Sequence, residues 1–221
     1  MSGELLRSDP ADGIVTLTLN RPDRKNALSI ALRDAVSDAL AQLAVDPDVR
    51  VCVLTGAGTV FSAGFDLEEF EREDPDRLWA SSDRFHHACL EFPLPLVAAV
   101  NGPAVAGGFD LAVLCDIRVA ASTAWFAHPE REHFSVVYGP LHELVGGAVA
   151  RDLCFTGRRV DAEEALALRL VSRVVPPGKV AAAAAETARQ IAVAPRDVLM
   201  AMKAKAIARS GIGSETPTLD L

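Results

Sequence analysis

The stretch NGPAVAGGFDLAVLCDIRVA, residues 101–120, places a glycine-bearing turn between an apolar run and a helical pattern. A second turn of this kind, VFSAGFDL, lies earlier in the chain at 60–67. The turns follow the apolar runs RVCVLTGAG (50–58) and LPLVAAVNG (94–102), so each is predicted to join a strand to a helix. A helix start leaves N–H groups unpaired, and glycine lets a ligand approach them closely. Two such turns aimed at one point would give one oxygen two N–H donors, which is the arrangement that stabilises an oxyanion.

Apolar periodicity around the two turns predicts alternating strands and helices, and therefore the α/β class. Ser29 stands directly before a helical pattern formed by Leu32, Val36, Leu40 and Leu43, so it is the expected N-cap. The predicted strands are 14–20, 50–55, 96–101 and 117–121, and the predicted helices are 29–45, 76–91 and one that starts near Gly107.

The chain from about Leu141 onward is predicted to be nearly all helical. This part includes the alanine-rich segment 179–193 and a last helix, 195–209, which Pro195 opens at a position that tolerates proline. The tail 210–221 is polar and rich in turn formers, so we expect it to be loosely ordered.

Composition restricts the class of protein. The chain has 221 residues, half of them hydrophobic, which is enough for one substantial core. Its net charge of −8 gives no electrostatic basis for binding nucleic acid. The four cysteines lie far apart, as buried free thiols in a reducing compartment do. The N-terminus lacks the apolar core of a signal peptide, and no stretch approaches the ~20 apolar residues that cross a bilayer. We therefore expect a cytoplasmic protein with no membrane contact.

Five blocks of sequence resemble the crotonase superfamily, also called the enoyl-CoA hydratase/isomerase family, in the family's own order. They are LNRPDRKNALS (19–29), FSAGFDL (61–67), NGPAVAGGFDLAVLCDIRVAA (101–121), FAHPE (126–130) and TGRRVDAEEALALRLVSRVV (156–175). The resemblance implies that residues 1–140 form a spiral of ββα units with the CoA-binding and oxyanion-hole motifs. It implies that 141–221 form a helical region that mediates contacts in a homotrimer or a dimer of trimers. Family members usually run further, so we expect an active site that is either more open or covered by another subunit.

The resemblance also implies the catalytic residues. It assigns the two oxyanion donors to the amides of Phe65 and Gly107, and the acid–base pair to Asp110 and Glu130. Residue type alone favours Asp110 as an acid that interacts with the helix dipole, and Glu130 has the alternative of a solvated loop charge. The family's hydratases carry glutamate at the position of Asp110. The shorter side chain places its oxygen ~1.5 Å further back.

The segment REHFSVVYGPLHELVGG (131–147) departs from the family, whose members usually have a glycine-rich loop here. It is shorter and bulkier, so Glu132 or His133 is expected to occupy space that the usual loop leaves to substrate. The segment HPEREH does not match the zinc-binding pattern HExxH, and the five histidines predict no metal site. His86 and His87 are interpreted as surface or packing residues.

Binding of CoA is the remaining implication of the resemblance. Basic and small residues next to the family blocks match the positions that contact the CoA phosphates, adenine and pantetheine. They are Arg24, Lys25, Ala27, Ala63, Asp66 and Leu67. Each also has a simpler interpretation, either an exposed basic turn or ordinary packing. CoA is expected as part of the substrate, with no metal or redox cofactor.

The hypothesis that best fits two carboxylates and two amide donors is hydration of a 2-enoyl-CoA thioester. Two alternatives on the same scaffold are a Δ3–Δ2 enoyl-CoA isomerase, in which Glu130 alone moves the proton, and a thioester hydrolase. A third alternative from another class is a catalytically weak acyl-CoA-binding protein. The short Asp110, the altered 131–147 segment and the early C-terminus motivate it.

Overall fold

A computed structural model describes residues 3–212 and shows two sheets flanked by helices. The larger sheet has six strands in the order β1-β2-β3-β4-β6-β9, and only the β1–β2 pair in it is antiparallel. A smaller sheet has the order β5-β7-β8. The strands are β1 Leu5–Arg7, β2 Ile14–Leu19, β3 Val51–Gly56, β4 Leu96–Val100, β5 Ala104–Val105, β6 Ile117–Ala121, β7 Trp125–Ala127, β8 Val160–Asp161 and β9 Arg173–Val175.

Helices cover the sheets and supply most of the remaining core. They are α1 Ile30–Val45, α2 Leu67–Arg72, α3 Pro75–Leu90, α4 Gly107–Leu114, α5 Gly139–Val145, α6 Gly147–Thr156, α7 Ala162–Ala167, α8 Val180–Ala192 and α9 Arg196–Ser210. The Ser29 hydroxyl accepts a hydrogen bond from the Leu32 N–H at 3.1 Å, which confirms the predicted cap of α1. Pro195 directly precedes α9, as its fixed φ allows.

The central parallel strands β3, β4 and β6 are buried on both faces, which explains why their sequences read as apolar runs. All five residues of β4 are buried. Pairing places Val53 beside Val97, and Val97 beside Ile117, so the predicted strands 50–55, 96–101 and 117–121 lie next to one another. No helix among the described residues is long and apolar enough to cross a membrane.

The prediction that the chain is nearly all helical after Leu141 is wrong in two places. Residues 160–161 form β8, and residues 173–175 form β9, which adds a strand to the larger sheet by pairing with β6. Strands this short contain too few residues to show a two-residue period. Side chains from both sides of residue 140, such as Val97 and Ala184, belong to one apolar core. The division into 1–140 and 141–221 stays a prediction. Residues 213–221 of the predicted loose tail lie outside the described residues.

The two glycine-bearing turns lie against each other. The Val105 N–H donates to the Ser62 carbonyl at 3.0 Å, and Ser62 also forms an isolated parallel bridge with Ala104. At Gly108 a Cβ would lie only 2.4 Å from the Ser62 carbonyl oxygen, closer than side chains normally approach. Ala106 just before α4 has a φ of 52°, a conformation that costs a residue other than glycine about 1–3 kcal/mol. Close contact with the first turn therefore fixes where α4 begins.

Replacing Gly108 with alanine tests this contact. We expect Gly108→Ala to lower the free energy of unfolding by about 1–3 kcal/mol, because the new methyl group overlaps backbone atoms of Ser62. Gly178→Ala is the matched control, since no atom lies within 4 Å of a Cβ there, and a change within about 0.5 kcal/mol is expected. Urea unfolding of both variants measures the difference. Equal stability of the two would contradict the close approach of the turns.

Candidate active site

A cavity of about 310 Å³ lies beside the contact between the two turns. It is lined by Ala63, Phe65, Leu67, Phe70, Trp79, Ser82, His86, Ala106, Gly107, Asp110, Pro129, Glu130, His133, Phe134, Ser135 and Val137. The four residues predicted to be catalytic are all in this set, together with two of those predicted to bind CoA. A mainly apolar cavity with a few convergent polar groups is typical of a small-molecule site.

Phe65 and Gly107 both line the cavity, and their backbone amides have no hydrogen-bond acceptor in the part of the chain that the structure describes. Gly107 is the first residue of α4, where a helix has no acceptor for its N–H groups. A Cβ on Gly64 would lie 3.1 Å from the Gly107 nitrogen, so the first turn passes close to this amide. That both amides point at one spot stays a prediction.

A buried arginine supports Phe65. The Arg33 guanidinium lies 4.4 Å from the centre of the Phe65 ring, and Arg33 is fully buried. It donates to the Leu28 carbonyl at 2.8 Å and to the Leu78 carbonyl at 3.2 Å. Burial lowers the pKa of Arg33 to about 10, which leaves it charged at neutral pH. Arg33 was not predicted as a site residue from the sequence, although it lies within the helical pattern 29–45 and proves to be one of the buried residues of α1.

Asp110 lies in the first turn of α4 and is 7% exposed. Its pKa is raised to about 7, mainly by burial and in part by the nearby Glu130, while His128 and the Val137 N–H favour the charged form and oppose the rise. Its Oδ1 has no hydrogen-bond partner among the described residues. A buried carboxyl with a pKa near neutrality and an unpaired oxygen is suited to proton transfer as well as to interaction with the helix dipole.

Glu130 and His128 complete a cluster with Asp110. Glu130 belongs to the short 3-10 turn Pro129–Glu132, and its Oε1 lies 2.9 Å from His128 Nδ1. The same nitrogen lies 3.7 Å from Asp110 Oδ1. Burial lowers the pKa of His128, but the carboxylates of Asp110 and Glu130 outweigh it, so the net shift is upward. His128 was not assigned to the site from the sequence. Its position two residues before Glu130 in FAHPE places it nearby but does not reveal the contact between the two side chains.

The cluster also has the donor set of a cation site. One ligand atom from each of Asp110, His128 and Glu130 lies within 4.8 Å of the other two. An imidazole with two carboxylates suits several divalent metals. The expectation that the protein needs no metal stays a prediction.

Two histidines line the cavity, and the interpretation of one of them changes. His86 is buried on α3 and lines the cavity, so the surface alternative is wrong for it. Its Nδ1 lies 3.0 Å from the Ser82 carbonyl, and burial lowers its pKa to about 3, which leaves the ring neutral. His133 also lines the cavity, whereas the Glu132 side chain is 66% exposed outside the lining.

Aromatic rings close the cavity on the side of the 131–147 segment. Phe134 lies 5.4 Å from Phe70 and 5.6 Å from Trp79, measured between ring centres. Rings at these separations attract one another. The bulky segment therefore contributes a wall to the cavity, as its composition indicated.

The residues predicted to bind CoA are divided between the cavity and the surface beside it. Ala63 and Leu67 line the cavity, and Leu67 is 75% exposed at its rim. Arg24 is exposed and donates to Glu68 Oε1 at 2.6 Å. Asp66 caps α2 and pairs with Arg21 at 2.9 Å. Lys25 is exposed and adopts a left-handed φ of 53°, and Ala27 is half-buried. Their contact with CoA stays a prediction.

Comparison with known proteins gives consistent matches. The family model described as Enoyl-CoA hydratase/isomerase matches residues 9–215. A putative enoyl-CoA hydratase of Thermus thermophilus is 40% identical over 211 residues, which cover 91% of this chain and 83% of the relative. The structure of an enoyl-CoA hydratase from Bacillus anthracis has a TM-score of 0.87 at 31% identity, covering 93% of this chain and 82% of that one. The structure of EchA8_6 of Mycobacterium marinum, an enoyl-CoA hydratase, has a TM-score of 0.84 at 35% identity, covering 93% of this chain and 99% of that one.

The burial of Asp110 predicts a pH-dependent cost in stability. Its folded-state pKa of about 7 exceeds the usual value of 3.8, so the folded state holds a proton that the unfolded state loses as pH rises from about 4 to about 7. The wild-type free energy of unfolding should fall over this range. Asp110→Asn should therefore be more stable than wild type at pH 8, by up to about 4 kcal/mol at 1.36 kcal/mol per pKa unit, with the gain shrinking toward pH 4.

Urea unfolding at pH 4, 6 and 8 measures this dependence, with the exposed Asp48→Asn as the control that should show no such trend. A stability difference between Asp110→Asn and wild type that does not vary with pH would contradict an unfavourable buried charge at Asp110.

Proposed function

The chain belongs to the enoyl-CoA hydratase/isomerase family, and from this premise we propose that it adds water to a 2-enoyl-CoA thioester. The observation that carries the proposal is the meeting of two unpaired backbone amides with the buried carboxyl of Asp110 and the half-buried carboxyl of Glu130 around one cavity. The family and the crotonase-type α/β fold agree with what the sequence predicted.

The amides act on the thioester carbonyl. In the proposed reaction the N–H groups of Phe65 and Gly107 donate to the carbonyl oxygen, on which negative charge builds as water adds at Cβ. Donors that are already oriented lower the energy of such an enolate, and removing one typically costs roughly 10²–10³ in rate. The fixed start of α4 and the ring contact between Arg33 and Phe65 support an arrangement of this kind.

The carboxyl groups move the protons. One takes a proton from the attacking water, whose oxygen bonds to Cβ, and the other delivers a proton to Cα, so the elements of water are added across the double bond. Asp110 is suited to give or take a proton near neutral pH because its pKa is about 7. Glu130 presents a buried Oε2 that has no partner among the described residues.

Isomerisation of a 3-enoyl-CoA is a second candidate, and the short side chain of Asp110 favours it. If Asp110 falls short of the attacking water, Glu130 alone can remove a proton from Cα and return it at Cγ while the same amides hold the enolate. The aromatic wall formed by Phe70, Trp79 and Phe134 supports an apolar acyl group in either reaction.

Assembly and location belong to the same proposal. The resemblance supports a homotrimer or a dimer of trimers. Cys52, Cys89, Cys115 and Cys154 are buried free thiols, which supports a reducing compartment such as the cytoplasm. CoA enters as part of the substrate.

The proposal predicts that Glu130→Gln lowers kcat for crotonyl-CoA hydration about 10²–10⁴-fold, because glutamine cannot exchange the proton. Loss of the conjugated enoyl-thioester absorbance measures the rate. Glu132→Gln is the matched control, because its exposed side chain lies outside the cavity lining, and it should retain wild-type turnover. Equal turnover of Glu130→Gln and wild type would remove Glu130 from the mechanism.

The same assays separate the alternatives. A 3-enoyl-CoA that gains conjugated absorbance identifies an isomerase, and release of free CoA identifies a hydrolase. Calorimetric binding of CoA esters without turnover on short or long acyl chains identifies a protein that binds but does not catalyse.

A further inference from the structure

The His128 side chain is fully enclosed at the end of β7, between two acids. Its ring stacks on Phe109 with 4.5 Å between centres and 25° between planes. Phe109 precedes Asp110 in α4, so the helix that carries one carboxyl also fixes the ring that contacts the other. The imidazole therefore has little freedom to turn, and its Nδ1 edge faces Glu130 Oε1 at 2.9 Å.

We propose that His128 is a positioning residue whose Nδ1–H holds Glu130 by Oε1 and leaves Oε2 to exchange the proton with substrate. This inference rests on the function proposed above. The two oxygens of Glu130 have different surroundings, as this role requires. Oε1 contacts His128, whereas Oε2 is buried with no partner among residues 3–212. A glutamate has three rotatable side-chain bonds, and a fixed donor at one oxygen limits where the other can lie.

The charges around His128 favour a proton on Nδ1. Asp110 and Glu130 face the ring, and the thiol of Cys154 lies near enough that both carboxylates help burial to raise its pKa to about 11. The carboxylates of Asp110 and Glu130 repel each other, and a proton on the nitrogen between them reduces that repulsion. The distance of 3.7 Å to Asp110 Oδ1 is too long for a hydrogen bond, so the donor is directed at Glu130 and acts on Asp110 only through charge.

A divalent cation held by Asp110, His128 and Glu130 is the competing explanation of the same geometry. A metal bound to Nδ1 replaces the proton there. The two explanations therefore differ in whether His128 Nδ1 carries a proton, which can be measured without substrate or turnover.

Nitrogen-15 NMR of the histidine-labelled full chain, after dialysis against EDTA, tests the donor directly. The His128→Gln variant assigns the His128 signal by its loss. A proton bonded to His128 Nδ1 is the expected result, and a proton on Nε2 with a bare Nδ1 overturns the inference. This readout holds whether or not the protein turns over any enoyl-CoA, so it separates failure of the inference from failure of the proposed function.

Two substitutions test the kinetic consequence. Leucine fills similar space without a donor, so His128→Leu should lower kcat for the enoyl-CoA substrate about 10–100-fold and leave KM within about threefold. Glutamine carries an N–H donor, so His128→Gln should recover most of the lost kcat. His142→Leu is the control, since His142 lies outside the cavity lining against Tyr138 and wild-type kcat is expected.

Wild-type kcat in His128→Leu, or an equal loss in the leucine and glutamine variants when both unfold at the wild-type temperature, overturns the inference. If His128→Leu does not fold, the NMR result and the comparison of His128→Gln with wild type decide. Activity that EDTA removes and Zn²⁺ or Mn²⁺ restores identifies His128 as a metal ligand, which also overturns it.

Discussion

The close packing of one glycine-bearing turn on the other is the constraint on which the site depends. The Ser62 carbonyl accepts the Val105 N–H and lies only 2.4 Å from where a Cβ of residue 108 would be, so glycine at 108 lets α4 begin this close to the first turn. That start places the Gly107 amide and the Asp110 carboxyl on the same cavity. The strained backbone at Ala106 is tolerated because the contacts around it hold both turns in place.

The acid cluster shows how burial and charge are balanced in this fold. Removing a carboxyl from water favours its protonated form, and that effect dominates at Asp110. The nearby imidazole of His128 opposes it, and the two carboxylates in turn outweigh the effect of burial on His128. The pKa values of Asp110 and His128 are therefore both raised, and that of Asp110, at about 7, lies in the range in which acid–base catalysis is most effective. The burial that raises the pKa of Asp110 also lowers the stability of the folded protein at neutral pH.

Much of the fold could be predicted from the sequence because its signals are local. The apolar runs of β3 and β4, the Ser29 cap and the glycine turns each specify their own structure. The strand β9 could not be predicted this way, because three residues gain their strand structure only from pairing with β6. His86 and Arg33 are polar residues on the buried faces of α3 and α1, where a search for apolar periodicity overlooks them. The contact between His128 and Glu130 depends on side-chain rotation, which spacing does not reveal.

The account depends most on the claim that the amides of Phe65 and Gly107 converge on one thioester carbonyl. A crystal structure with a bound, unreactive CoA thioester tests this most directly. The account predicts that both amide nitrogens lie about 2.7–3.1 Å from the carbonyl oxygen, with the acyl chain against the aromatic wall. A thioester bound with its carbonyl oxygen out of reach of either amide would contradict the account.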